Sequence, residues 1–136
     1  MNKLRVVTVS VLAVMCVAAT GTSVAQRKTK SGPVMEIEPQ EHDFGGVQQD
    51  QKLVHEFTVN NVGTEDLEIL RISTSCGCTA AILSERIVKP GESTTLEVVL
   101  ETRKYKGVID KSVSVASNDR ERVRTIRVRA FVEVPE

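Results

Sequence analysis

An all-β chain, folded as an immunoglobulin-like β-sandwich of about seven strands, is what this sequence predicts, and three observations predict it. From Val34 onward, apolar residues alternate with polar ones at period two. Turn-forming residues interrupt that alternation at roughly 8–12 residue intervals, the spacing of short sandwich strands. No stretch of this region sustains a 3.6-residue apolar period, so no helix is expected in it. The chain contains no Trp, and its two later cysteines are separated by one residue, so the Cys…Trp…Cys signature of antibody domains is absent.

The first residues stand apart from this pattern. Lys3 and Arg5 form a positive head, an apolar run extends from Val6 to Ala19, and Ser23-Val24-Ala25 makes a small-residue cleavage pattern. The run is short of the roughly 20 residues needed to cross a bilayer. Residues 1–25 therefore read as a secretory signal peptide, which leaves no membrane span after cleavage and places the remainder in the periplasm or outside the cell. Met15 before Cys16 is not the small residue that lipid attachment requires. Residues 26–33, basic and polar with no apolar period, read as a flexible spacer ahead of a domain covering 34–134.

Each element follows in turn. Val34 to Glu38 alternates and stops at Pro39, as an edge strand does. His42-Asp43-Phe44-Gly45-Gly46-Val47 sets one large apolar residue before two glycines and reads as a turn that pins Phe44. Leu53, His55, Phe57 and Val59 share one face of the next strand, which ends in the turn-forming Asn60-Asn61-Val62-Gly63-Thr64. Leu67 to Ile72 is dense enough in apolar residues to be buried on both faces. Ala80 to Leu83 is a short strand, and Lys89-Pro90-Gly91-Glu92 is a type II turn signal. Leu96, Val98 and Leu100 face inward, as do Ile109, Val113 and Val115. Ser117 to Arg120 closes a hairpin, and the last strand, Arg122 to Val134, points Ile126, Val128, Ala130 and Val132 inward.

Several of these stretches together resemble a bacterial family of exported domains of unknown function. They are Asp43-Phe44-Gly45 with Val47, His55 to Asn61 with Gly63, Ser75-Cys76-Gly77-Cys78-Thr79, Pro90-Gly91-Glu92 and Ser117-Asn118. That family is similar to the ASH domains (Hydin's among them), to major-sperm-protein-like immunoglobulin domains and to the chaperone domain PapD. The resemblance implies a seven-stranded sandwich outside the cytoplasm and implies no reaction.

The chemistry-bearing residues centre on Cys76 and Cys78. In a regular strand their Cα atoms would lie about 6.5–7 Å apart, at the limit for a disulfide. Gly77 is the hinge expected to bring them closer. Closing a three-residue loop contributes only about 1.6 kcal/mol, so stability alone does not account for a bond here. The pair can be a structural disulfide, a redox couple, or a clamp for copper or zinc. Candidate further ligands are His42, His55 and Met35, although His55 reads as a buried, hydrogen-bonded core residue, His42 as a surface residue and Met35 as an edge contact. A basic cluster is the second feature. Arg127 and Arg129 face away from the core, with Lys111 expected opposite Arg127 across the hairpin. It is either a solvated face balanced by Glu97, Glu101 or Asp110, or a patch for an anionic polymer or lipid headgroup.

Several function classes are excluded. Loss of residues 1–25 removes two of the 18 basic residues and none of the 18 acidic ones, for a net charge of about −2. That balance gives no attraction for nucleic acid. There is no phosphate-binding glycine loop, no Gly-x-Ser-x-Gly elbow and no paired-histidine zinc spacing. The expectation is a non-catalytic binding or structural module of the cell envelope, without a cofactor, whose partner is a protein or envelope polymer bound by edge-strand addition. The alternative is a thiol-based metal-binding or redox protein.

Overall fold

The computed structural model describes residues 31–135; the expected signal peptide and the first part of the expected spacer lie outside them. The described residues form nine strands: β1 (Met35–Glu38), β2 (Glu41–Gln48), β3 (Lys52–Asn61), β4 (Leu67–Thr74), β5 (Thr79–Leu83), β6 (Ile87–Val88), β7 (Ser93–Glu101), β8 (Gly107–Ser117) and β9 (Val123–Glu133). They make a sandwich of a four-stranded sheet, β1-β3-β7-β5, and a five-stranded sheet, β2-β9-β8-β4-β6.

Nine strands replace the expected seven for two reasons. At Pro39, after a cis peptide bond, the chain crosses from one sheet to the other, so β1 pairs antiparallel with β3 and β2 pairs parallel with β9. The Asp-Phe-Gly stretch is thus a strand, not the expected turn. Its glycine chemistry is absorbed in a bulge between Asp43 and Gly46, where Gly45 has φ +71° and donates its N–H to Asp43 Oδ1 at 2.8 Å. The second addition is β6, two residues paired to Leu67 and Glu68.

The core is aliphatic. Leu67, Leu96, Leu100 and Ile126 are fully buried around Phe57 and Met35, and the expected inward sets of β7, β8 and β9 all lie inside. Met35 lies on the edge strand β1, and its side chain is fully buried in the core. β4 is buried on one face only: Leu67 and Ile69 face the core, a bulge between Ile69 and Arg71 turns Ile72 to that side as well, and Leu70 on the other face is 55% exposed. Gly91 has φ +80°, and the Glu92 N–H reaches the Lys89 carbonyl at 3.0 Å, as a Pro-Gly type II turn requires.

Three buried polar side chains tie the loops. Asn61, 1% exposed, accepts the Gly63 N–H at 3.0 Å and donates to the Glu65 and Val88 carbonyls at 2.7 and 2.8 Å. Thr102, fully buried, donates to the Gln48 carbonyl and accepts the Gln51 N–H. Asp119 sits in the β8–β9 connection, which the sequence presents as a hairpin turn. It is buried there and accepts the Met35 N–H at 2.9 Å. Gly63 is needed for close approach, not for a left-handed φ: a Cβ would meet the Gly32 carbonyl at 2.0 Å. The end of the expected spacer is thereby docked, with Gly32 bonded to the Thr64 hydroxyl and N–H.

Candidate functional site

The Cys-Gly-Cys segment connects β4 in one sheet to β5 in the other. Cys76 and Cys78 are disulfide-bonded at a Cα separation of 5.4 Å, closer than extended i, i+2 residues because the chain turns between them. Gly77 is not the conformational hinge expected of it. Its φ lies outside the left-handed region, and a Cβ there would meet nothing within 4 Å. The two sulfurs differ in surroundings. Cys78 is 7% exposed and part of the core, whereas Cys76 is half-buried and packs against it. The Cys78 N–H donates to Cys76 Sγ at 3.3 Å, and Thr79 Oγ1 lies 3.6 Å from Cys76 Sγ and 3.8 Å from Cys78 Sγ.

The loop delivers the chain into β5, an edge strand. Bonds from Glu101 N–H to the Cys78 carbonyl and from Ser84 N–H to the Thr95 carbonyl fix the phase of the β5–β7 ladder. Ala80 and Ile82 therefore bond to β7, and Ala81 and Leu83 turn their N–H and C=O groups to the open side. Among the described residues nothing pairs with that side. The strand is Thr-Ala-Ala-Ile-Leu, without charge or proline. Ile82 is 58% exposed, and Ile72, Cys76, Ala81 and Leu83 form a partly exposed apolar seam between the sheets.

The other edges are blunted. On β1 the outward groups of Met35 are taken, its N–H by Asp119 Oδ2 and its carbonyl by Arg124 Nε at 3.2 Å. The part of β3 left uncovered by β1 carries Lys52 and Glu56. β2 is bulged, β6 has two residues, and beyond β6 the Arg86 guanidinium reaches the Ile69 and Leu70 carbonyls. These are the devices by which sheets resist unplanned pairing, and β5 has none of them.

The histidines lie elsewhere. His42 on β2 and His55 on β3 stack at 3.5 Å between ring centroids and 9° between planes, with Phe44 and Phe57 edge-on to them. The expected hydrogen bond of His55 is missing at Nε2, which is buried with no partner among the described residues. Burial, and then the like charge of His42, hold the His55 pKa below its ordinary value, with Glu56 opposing in part. Following the register from Ala81 to Val98 to His55 puts His55 two strands, about 10 Å, from β5, so the structure does not bring the thiols and imidazoles together. Among the described residues, no group of three or more His, Cys, Asp or Glu is arranged to hold a metal.

The basic residues do not form one patch. Lys111 pairs with Val128, one residue from the expected register, and belongs to the inward series of Ile109 and Val113, with Nζ 5.4 Å from the Tyr105 ring centroid. Arg127 and Arg129 face outward beside Asp110. Arg129 binds Asp110 at 3.0 Å and Glu41 at 2.7 Å, and the Asp110 hydrogen bond foremost, then Glu41, raises its pKa. Of the expected acidic partners Asp110 serves, and Glu41 is the one the hairpin arithmetic missed. Val108 and Phe131 face each other on the same surface, 74% and 51% exposed.

Comparison with known proteins fits this architecture. The family model described as "Protein of unknown function (DUF1573)" matches residues 35–132, from the first strand to the last. The chain belongs to the DUF1573 family. A solved protein of unknown function from Porphyromonas gingivalis W83 is 22% identical to this DUF1573 chain, with a TM-score of 0.64, covering 81% of it and 51% of the other. The chain thus spans about half the length of that structure. The PapD-like ASH domain 7 of human CEP192 superposes at TM-score 0.55 with 11% identity over 75% of this chain and 85% of its own. The Vibrio cholerae protease VesB does so at 0.58 with 13% identity over 73% and 31%. At these identities the shared feature is the sandwich alone. No curated protein matches the DUF1573 chain.

Proposed function

We propose that this DUF1573 protein is a non-catalytic binding module of the cell envelope, exported through residues 1–25, that takes an extended segment of a partner protein along β5. The observation that supports this most directly is the contrast among the edges: among the described residues, β5 is the edge strand whose outward backbone groups have no cap, bulge or flanking charge. An added strand would complete the ladder at Ala81 and Leu83. Its inward side chains would cover Ile72, Ala81 and Leu83, which favours a segment with apolar residues at alternate positions.

Ala81→Pro tests the reading, because it removes one outward N–H and leaves the β7 ladder bonds in place. Envelope protein captured by the wild-type chain should fall about ten-fold with Ala81→Pro and be retained by Val108→Ser on the far sheet. A well-folded Ala81→Pro protein that captures the same partner equally well sinks the reading. Export is checked separately by the intact mass of the envelope-fraction protein, which should lack residues 1–25; their retention would refute it.

A further inference from the structure

We infer that Cys76 and Cys78 form an exchanging dithiol–disulfide couple whose reduced form attacks, through Cys76, a disulfide of another protein. The inference does not depend on the β5 edge. It rests on three features of the loop.

The bond can open without the loop coming apart. Backbone bonds hold both ends: Ser75 N–H to the Ser112 carbonyl, Thr79 N–H to the Cys76 carbonyl, and Glu101 N–H to the Cys78 carbonyl. Ser112 N–H also donates to Ser75 Oγ, and the Thr74 hydroxyl to the Cys76 carbonyl. None of these contacts involves sulfur. A ring of three residues also constrains the unfolded chain least, so the bond is a weak staple in a loop that is already tied.

The two sulfurs are suited to different roles. Cys76 is the solvent-accessible one, and its thiolate would be met by the Cys78 N–H and the Thr79 hydroxyl, which favour the charged form. Cys78 sits in the apolar core, where the Thr79 hydroxyl is the one hydrogen-bonding group its sulfur meets among the described residues, which disfavours its thiolate. An accessible, stabilised nucleophile beside a buried partner is the arrangement of a couple that attacks with one sulfur and resolves with the other.

The starting dithiol arises when an external dithiol reductant gives two electrons to the Cys76–Cys78 bond of the structure and leaves as its own disulfide. The Cys76 thiolate attacks one sulfur of the substrate disulfide, the substrate S–S bond breaks, and the first substrate thiolate leaves. Cys78 then attacks Cys76 Sγ, the mixed disulfide breaks, and the second substrate sulfur leaves as a thiolate, taking up the proton that Cys78 releases. Two electrons pass from the cysteine pair to the substrate disulfide, and the Cys76–Cys78 bond of the structure is the oxidised product.

The test uses the full chain reduced with dithiothreitol, freed of it and mixed with oxidised glutathione, with peptide mapping to keep Cys16 apart. Wild type should return to the Cys76–Cys78 disulfide with no lasting adduct, and Cys78→Ser should trap one glutathione on Cys76. In reduced wild type, limited iodoacetamide should label Cys76 at least ten-fold faster than Cys78, a readout that needs no variant to fold. Equal labelling, faster labelling of Cys78, a stable adduct on wild type, or no glutathione on Cys76 in a folded Cys78→Ser protein would each overturn the inference.

Discussion

Replacing Asn61 by Ala should be among the most damaging single substitutions in the domain, although Asn61 lies in a stretch that reads as a turn. Its side chain is 1% exposed and makes three bonds of 2.7–3.0 Å, to the Gly63 N–H and to the Glu65 and Val88 carbonyls. Each is worth about 1 kcal/mol net, and truncation leaves the buried Gly63 N–H and Val88 carbonyl without their partner, so the loss should reach about 3 kcal/mol. For a domain of roughly 100 residues that lowers the melting temperature by about 15 °C. Urea and thermal denaturation followed by circular dichroism measure it, with the half-buried neighbour Asn60→Ala as control, expected within about 0.5 kcal/mol. A loss below about 1 kcal/mol for Asn61→Ala would mean that the bonds are not made in solution, and the account of how the β3–β4 loop and β6 are tied together would fail with it.

Two further predictions separate local causes. Gly63→Ala drives a Cβ against the Gly32 carbonyl and the Val34 N–H at 2.0 and 2.7 Å, so it should detach residues 31–34 or cost about 3 kcal/mol. Gly77→Ala meets nothing and should stay within about 0.5 kcal/mol; equal stability of the two variants would refute the contrast. The depressed pKa of His55 gives a signed pH effect. The unfolded chain binds the proton more readily, so this contribution to stability is whole above the ordinary value of 6.5 and drains away as pH falls from there through the lower folded value. Denaturation midpoints from about pH 8 to 5 should fall more steeply in wild type than in His55→Leu, and parallel curves would dispose of the idea.

Alternation made the inward faces of β7, β8 and β9 legible, because a strand with one face on the core must repeat at period two. The same logic failed where an extra residue enters a strand. The bulges after Asp43 and Ile69 reset the phase, so a strand resembled a turn in one case and a half-exposed strand resembled a buried one in the other. Asp119 and Asn61 were beyond reach for another reason. Asp and Asn in a turn look alike in sequence whether they cap a local N–H or one 84 residues away. The candidate site was half legible: the thiol pair announced itself, but the openness of β5 depends on what blunts the other edges, and those caps come from residues distant in the chain.

The attachment of the first strands to the last ones bears on how the molecule is made. β2 finds its hydrogen-bonded neighbour in β9, and Met35 finds Asp119 and Arg124. In a chain delivered amino-terminus first, by ribosome or by translocation pore, β2 waits unpartnered until β9 has emerged, and β1, which can pair with β3 early, waits as long for the residues that cap its outer edge. Such distant pairings slow folding and lengthen the time for which apolar strand is displayed. The bulge of β2 and the charges of β3 then guard the chain during its synthesis as well as afterwards, when neighbouring copies have not yet finished folding.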